Sequence, residues 1–296
     1  MMDSEARPFP KKALWWLLLP ILSIFELGAQ IAIDRNVAPM EDWKAAAEAV
    51  RKEHRSGDLV VIAPWWATHA RLALKELTPI EDQARADAST YTRLWEVSIR
   101  GSEAEEAKGL NPEWEARFGR VRVRRFMLPR PARVSYRFLH HIDQAKVSIV
   151  SRNGAESPCA WSANVSVWRC TRQSEIWIGP LVFDDLHFRP REAIWAHPLS
   201  GVVTRITFSD VPPGRKIYGY TSIRYRAARE GNKPPVVLDV VVDGQRRQRI
   251  THHDLDGWKH FEVPLAGATG PMEVRFEVSC PSIINRHFGF IADVRD

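Results

Sequence analysis

The sequence predicts an α+β protein with three parts: an N-terminal transmembrane helix, a small α/β layer and a C-terminal antiparallel β-sandwich of jelly-roll type. Three observations predict it. An apolar run, Ala13 to Ile33, follows Arg7, Lys11 and Lys12 and is about the 20 residues a helix needs to cross a bilayer core. Residues 40–128 mix helix-period segments with a wholly apolar strand, the pattern of a layered α/β unit. From about Pro129 the apolar residues recur every second position, which is the period of half-buried strands. The expected division is a cytoplasmic tail over 1–12, a transmembrane helix or signal anchor over 13–33, an α/β domain over 40–128 and a sandwich over 129–296.

The apolar run admits three readings. An anchor keeps the short basic tail inside and exports the rest. A cleaved signal peptide has the same basic and apolar regions, with Ala29 at the cut. A buried core helix is disfavoured, because residues 13–25 lack the polar face of an amphipathic helix. Glu26 and Gln30 weaken the anchor, since an ionised carboxylate in the span costs about 2.5–3.5 kcal/mol on insertion scales. The anchor is preferred, and it places the chain at the inner (cytoplasmic) membrane, single-pass, with its C-terminal domains in the periplasm or outside.

Asp42 is a suitable N-cap for a helix from Trp43 to His54, with Ala45, Ala46, Ala49 and Val50 along one side. Leu59 to Pro64 reads as a strand buried on both faces, typical of a parallel sheet. Thr68 to Leu77 reads as a second helix and Ser102 to Trp114 as a third. Strands are expected over Tyr91 to Ile99 and Gly119 to Met127. In the sandwich they are expected over Ala145 to Val150, Trp161 to Arg169, Val202 to Phe208, Ile217 to Tyr225, Val236 to Val242, Trp258 to Val263, Met272 to Ser279 and Phe288 to Val294. Asp243-Gly244 is a hairpin signal.

With 42 Lys and Arg against 36 Asp and Glu, the net charge is +6. Attraction to anionic lipid or glycan is one reading of that excess; a solubilising surface is the simpler one. The densest basic stretch, Arg117 to Arg125, alternates like one face of a strand. With an exported location, that argues against nucleic acid as a partner. No GxGxxG, GxxxxGK[ST] or GxSxG motif occurs, so no cofactor is expected. No CxxC is present, and His140-His141 and His252-His253 would diverge on a regular strand, so no metal is expected.

Of the three cysteines, Cys159 and Cys170 lie at hairpin-sized separation and form the natural disulfide in an oxidising compartment. Cys280 is then left over and is expected to be buried in a strand.

The candidate ligand-binding residues are chosen by chemistry and place. Trp65, Trp66 and His69 follow the C-terminal end of the expected parallel strand, where α/β sheets put ligands. His187 and Arg189, beside Asp184-Asp185, could meet an acidic ligand. Trp195 with His197, and Tyr218 with Tyr220, stand at i and i+2, so each pair shares a strand face suited to stacking on a sugar. Packing in the core or at an interface is the plainer reading of all these aromatics.

From Leu17 to Phe126 the chain resembles a known junction. The segments that carry the resemblance are Glu41-Asp42-Trp43-Lys44-Ala45-Ala46-Ala47, Ser56-Gly57-Asp58-Leu59-Val60-Val61 and Tyr91-Thr92-Arg93-Leu94-Trp95. They resemble the last membrane helix and soluble tail of bacterial lipid-linked sugar transferases of the protein-mannosyltransferase and aminoarabinose-transferase type. They resemble more closely the short envelope proteins found beside such enzymes. The resemblance implies an envelope-glycan setting and a membrane glycosyltransferase as a partner. It carries over no catalytic residue, because those enzymes hold theirs on loops between many membrane helices. The C-terminal part, through Trp195-Ala196-His197-Pro198, Ile217-Tyr218-Gly219-Tyr220 and Asp256-Gly257-Trp258, is similar in pattern to galactose-binding-like and carbohydrate-binding modules.

The expected function is therefore a membrane-anchored, non-catalytic accessory or binding protein of the cell envelope, directed at a glycan or a protein partner. The alternatives are a glycosyl-transfer or hydrolysis enzyme using a carboxylate pair, or a structural subunit of a membrane glycosyltransferase complex with Glu26 and Gln30 facing its helix.

Overall fold

The computed structural model describes residues 11–171, 176–265, 270–282 and 286–296. Most of the expected cytoplasmic tail, residues 1–10, lies outside them. The structure is dominated by β-sheet, with few helices.

A 26-residue helix, α1 (Lys11–Asn36), comes first. The large apolar side chains from Leu18 to Ile33 are exposed, with Ile24 and Phe25 each at 71 %. Among the described residues, no helix is long and apolar enough to cross a membrane.

Next come α2 (Met40–Glu53), β1 (Asp58–Ala63), α3 (Thr68–Ala73), α4 (Ile80–Gln83), β2 (Arg93–Ile99), β3 (Trp114–Phe118) and β4 (Val121–Met127). These strands form a sheet in the order β1-β2-β4-β3, with β1 and β2 parallel and the other pairs antiparallel. The all-apolar β1 is explained by burial on both faces. Val60 and Ile62 pack with Trp43, Ala46, Ala47 and Val50 of α2, while Leu59, Val61 and Ala63 pack with Leu94, Ala104 and Phe126.

Two local expectations here are corrected. Asp42 does not cap α2: Pro39 occupies that position, and the Asp42 carboxylate instead accepts the Arg120 amide at 2.9 Å. Residues 102–114 are not a helix. They hold one 3-10 turn, Glu105–Ala107, and Trp114 opens β3. Gly109 turns left-handed at φ +75°, and the Ala104 amide bonds to the Glu96 side chain rather than to a helical carbonyl.

The remaining strands are β5 (Val134–Arg137), β6 (Lys146–Val150), β7 (Glu156–Pro158), β8 (Ala160–Ser162), β9 (Val167–Arg169), β10 (Trp177–Asp184), β11 (Pro190–Ala196) and β12 (Val203–Val211). After them come β13 (Lys216–Ile223), the short α5 (Tyr225–Arg229), β14 (Val236–Val242), β15 (Gln245–His252), β16 (Lys259–Pro264), β17 (Met272–Ser279) and β18 (Phe288–Arg295). One sheet runs β16-β13-β18-β11-β10-β9-β8, with β5 also on β18; the other runs β15-β14-β17-β12-β6-β7. They close on a single core, to which the first contributes Ile217, Phe288 and Phe290 and the second Ile206, Phe208 and Phe276.

The stretch Trp161 to Arg169 is two short strands rather than one, because Ser166 turns left-handed at φ +53° between them. Tyr225 begins α5 instead of ending a strand. His140 and His141 lie on a 3-10 turn, not a strand. β10, β11 and β15 carry no clear alternation in sequence, and pairing with neighbours makes them strands. β18 is buried along its whole length, not on one face alone. Gly289 allows close packing there, since a Cβ would stand 2.7 Å from the Phe183 ring.

Candidate functional site

The seam between the α/β layer and the sandwich holds a cleft of about 410 Å³. Its floor is the C-terminal end of β1, followed by the cis Ala63–Pro64 peptide and Trp65. One wall is the segment Ser102 to Glu106, and the other is the β10–β11 turn with Arg189, Pro190 and Arg191. A continuation of about 330 Å³ shares Trp65, Arg71, Gln83 and Pro190 with it and adds Ile80 and Phe188.

The β10–β11 turn is built around Asp185. Its buried carboxylate accepts the amides of His187 at 2.8 Å and Arg189 at 3.1 Å, and Nε of Arg191 at 2.9 Å. Arg191 also donates to the Arg85 carbonyl at 2.9 Å, which ties the turn to the α/β layer. Burial pulls the Arg191 guanidinium below its ordinary value, against the opposing pull of Asp185. Arg85 pairs with Glu106 across the cleft. Burial opposes ionisation of Glu106, yet Arg85, helped by Arg189 and Arg191, holds its carboxyl below the ordinary range.

Two buried donors of the lining, Gln83 Nε2 at the end of α4 and Arg85 Nε just after it, have no hydrogen-bond partner among the described residues. A buried donor left unpaired costs about 1–3 kcal/mol, and a ligand oxygen would recover it. Beside them Trp65 is 41 % exposed. An exposed apolar ring and convergent polar groups in one cleft are general features of small-molecule sites.

The structure gathers some of the expected residues here and disperses the others. Trp65 and Arg189 line the cleft. Trp66, 57 % exposed, and His69 follow Trp65 on the outer surface and are not part of the lining. His187 is exposed on the β10–β11 turn, also outside the lining. Trp195 and His197 do share a face, with ring centroids 6.1 Å apart, but both are buried and packed with His287. They are closed to a ligand, and a sugar-stacking role for them is withdrawn.

Tyr218 and Tyr220 also share a face, with hydroxyls 3.1 Å apart. Trp258 stacks on Tyr220, and the Arg295 guanidinium covers Tyr218 at 3.9 Å. The pair is half-buried in the seam and outside the cleft. Asp184 and Asp185 do not form an acid–base pair: Asp184 ends β10, and Asp185 is consumed by the turn. Nothing local in the sequence marks Gln83, Arg85 and Glu106. They sit in a stretch without period or motif, and their meaning comes from burial.

A second cavity, of about 220 Å³, is lined by Asp87, Arg137, His140, Glu192 and Asp293 among others. Burial pushes the carboxyls of Glu192 and Asp293 up. Asp87 is held low against burial by Arg295 and Ser89.

Cys159 and Cys170 are disulfide-bonded, and Cys280 is a buried free thiol that burial pushes up. Among the described residues no group of His, Cys, Asp and Glu could hold a metal ion.

No protein-family model matches the chain, and no curated protein matches it. Among solved structures it is similar to CBM51 from Clostridium perfringens GH95 in complex with methyl-galactose, at 14 % identity over 51 % of this chain and 80 % of that one, with a TM-score of 0.28. The tandem CBM51 modules of a family 98 glycoside hydrolase from Streptococcus pneumoniae match at 8 % identity, over 51 % of this chain and 48 % of that one, with a TM-score of 0.32. CBM51-2 and INT domains from Clostridium perfringens ZmpB, in complex with GlcNAc, match at 13 % identity, over 51 % and 37 %, with a TM-score of 0.32. These neighbours are carbohydrate-binding modules, but at such scores the likeness bears on neither the fold nor the ligand of this chain. None of the three is a glycosyltransferase, so they lend nothing to the resemblance to lipid-linked sugar transferases.

Proposed function

We propose that this chain is a non-catalytic, glycan-binding protein of the cell envelope, held at the cytoplasmic membrane through residues 13–33, and that the seam cleft is its sugar site. The single observation that carries the sugar site is the exposed Trp65 indole beside the unpaired buried donors of Gln83 and Arg85. The exposed apolar side chains on α1 support attachment to a membrane, at its surface rather than across it, since no described helix is long and apolar enough to cross; Glu26 on the same helix is the candidate contact for a membrane partner.

The test is equilibrium binding of the whole chain to a broad glycan array, followed by calorimetry on any hit. Trp65→Ala is expected to weaken a hit about tenfold or more, since burying a large apolar side chain is worth about 1.5–3 kcal/mol. Gln83→Ala should weaken it less. An array without hits sinks the reading, as does a hit that neither substitution alters.

A second reading is favoured by Glu192 and Asp293, two carboxyls raised by burial that line one cavity. Raised carboxyls are what glycoside hydrolysis needs of its general acid. Hydrolysis of aryl glycosides that is abolished by Glu192→Gln would establish this reading over the first; wild-type protein inert toward them would remove it.

A further inference from the structure

The end of the α/β layer from which α1 emerges carries a pocket of about 360 Å³ unlike the seam cleft. Its lining includes Ala38, Ser98, Arg100, Arg117, Arg120 and Arg122, and no carboxylate. Two tight turns shape it. The first, Arg100-Gly101, leaves β2 with both residues left-handed and the Ser102 amide bonded back to the Ile99 carbonyl at 2.9 Å. The second, Gly119-Arg120, joins β3 to β4. Gly119 is required there, because at φ +56° a Cβ would collide with the Asp42 carboxylate.

The arginines of this sheet are treated unequally. Arg93 is paired with Asp58, Arg124 with Glu96 and Glu103, and Arg125 with Glu53 and Glu113. Arg100, Arg117 and Arg120 have no ion pair among the described residues, and Arg122 stands 3.8 Å from a Glu96 already held by Arg124. Arg120 is oriented instead by the Val37 carbonyl at 2.7 Å, one residue beyond α1. Arg117 and Arg122 are directly opposite each other across β3 and β4. Like charges so placed destabilise a sheet, and Arg100 takes a left-handed conformation that a residue with a side chain rarely adopts. Both costs would be offset by an anion shared among the guanidinium groups, whose planar donors match phosphate oxygens in pairs.

We propose that this pocket binds a phosphate group, and its position beside the end of α1 makes the headgroup of an anionic phospholipid the expected source. The lipid source rests on the reading that residues 13–33 hold the chain at a membrane; the phosphate site itself does not.

The test uses the full chain with phosphatidylcholine vesicles, with or without 30 % phosphatidylglycerol, and a separate titration with inorganic phosphate. The wild type should prefer the anionic vesicles, and Arg100→Gln/Arg117→Gln should lower that preference about thirtyfold, at the usual contribution of each basic residue near an anionic surface. Binding to neutral vesicles should be unchanged. Arg130→Gln/Arg133→Gln removes the same charge elsewhere and should leave the preference intact; equal loss in both variants would mean bulk charge and would overturn the site. Saturable binding of inorganic phosphate that only the Arg100/Arg117 variant loses, without any vesicle preference, supports the site with free phosphate as its source. Chain that ignores neutral vesicles but binds phosphate would defeat the anchor reading alone. Neither a preference for anionic vesicles nor phosphate binding would defeat the site.

Discussion

His252 shows what a single buried side chain contributes. It ends β15 with Nδ1 2.8 Å from the Thr221 hydroxyl and Nε2 without a partner among the described residues. Burial pushes its pKa down to about 4, so the folded protein keeps it neutral while the unfolded chain takes up a proton below about 6.5. Stability therefore falls as pH drops from about 6.5 to about 4, by up to roughly 3 kcal/mol. Thermal or urea unfolding across that range should show the slope, and His252→Asn should flatten it; an unchanged slope would mean other groups carry it. At this scale the sequence was partly legible. Trp65 and Arg189 could be singled out because strand ends and charged turns are local features. Trp195 and His197 could not be told from surface aromatics, because alternation along a strand does not say whether the outer face of a sheet is covered.

Among the elements, the Cys159–Cys170 link ties β8 and β9 to the end of β7. The loop it closes is short, so reduction or Cys159→Ser/Cys170→Ser should cost about 2–3 kcal/mol, read as a lower urea midpoint with the m-value nearly kept. No change on reduction would mean the local strands hold without it. Strongly patterned elements are readable: α2 and β17 carry a clear period, and β1 and β14 a continuous apolar run, so each declares its own burial. The segment 102–114 misled because polar, helix-tolerant residues have no apolar face to commit them, and the buried Glu96 carboxylate captured the Ala104 amide first. β10, β11 and β15 are not legible in the sequence for the converse reason: their partners in the sheet, not their own pattern, supply the stabilisation.

Across the whole molecule, the seam is held by few, buried polar links. Trp258 Nε1 donates to the Ala86 carbonyl at 2.9 Å, and Arg295 reaches Ser89 at 2.6 Å and Asp87 at 3.4 Å. Tyr220 also donates to Asp87, at 3.2 Å. Asp87→Ala leaves Arg295 buried with one fewer anion, and breaking such a pair costs about 3–5 kcal/mol. The intact chain is expected to unfold in one calorimetric transition, and this variant in two, with the α/β layer and the sandwich melting apart. A single transition at the original temperature would show that the two layers are coupled by something else.

The sequence by itself determined the apolar N-terminal run, the helix-and-strand layer, the alternating C-terminal strands and the pairing of Cys159 with Cys170. All of these depend on residues close together in the chain, where period, turn chemistry and spacing act directly. Only the tertiary structure decided which aromatics are covered, which arginines are matched by carboxylates and which donors stay unpaired. Those properties depend on neighbours brought from distant parts of the chain, as when Gln83 and Arg85 meet Trp65 and Arg189, or Arg100 meets Arg117 and Arg120. Desolvation and charge pairing are set by that assembled surrounding, and no local pattern encodes them.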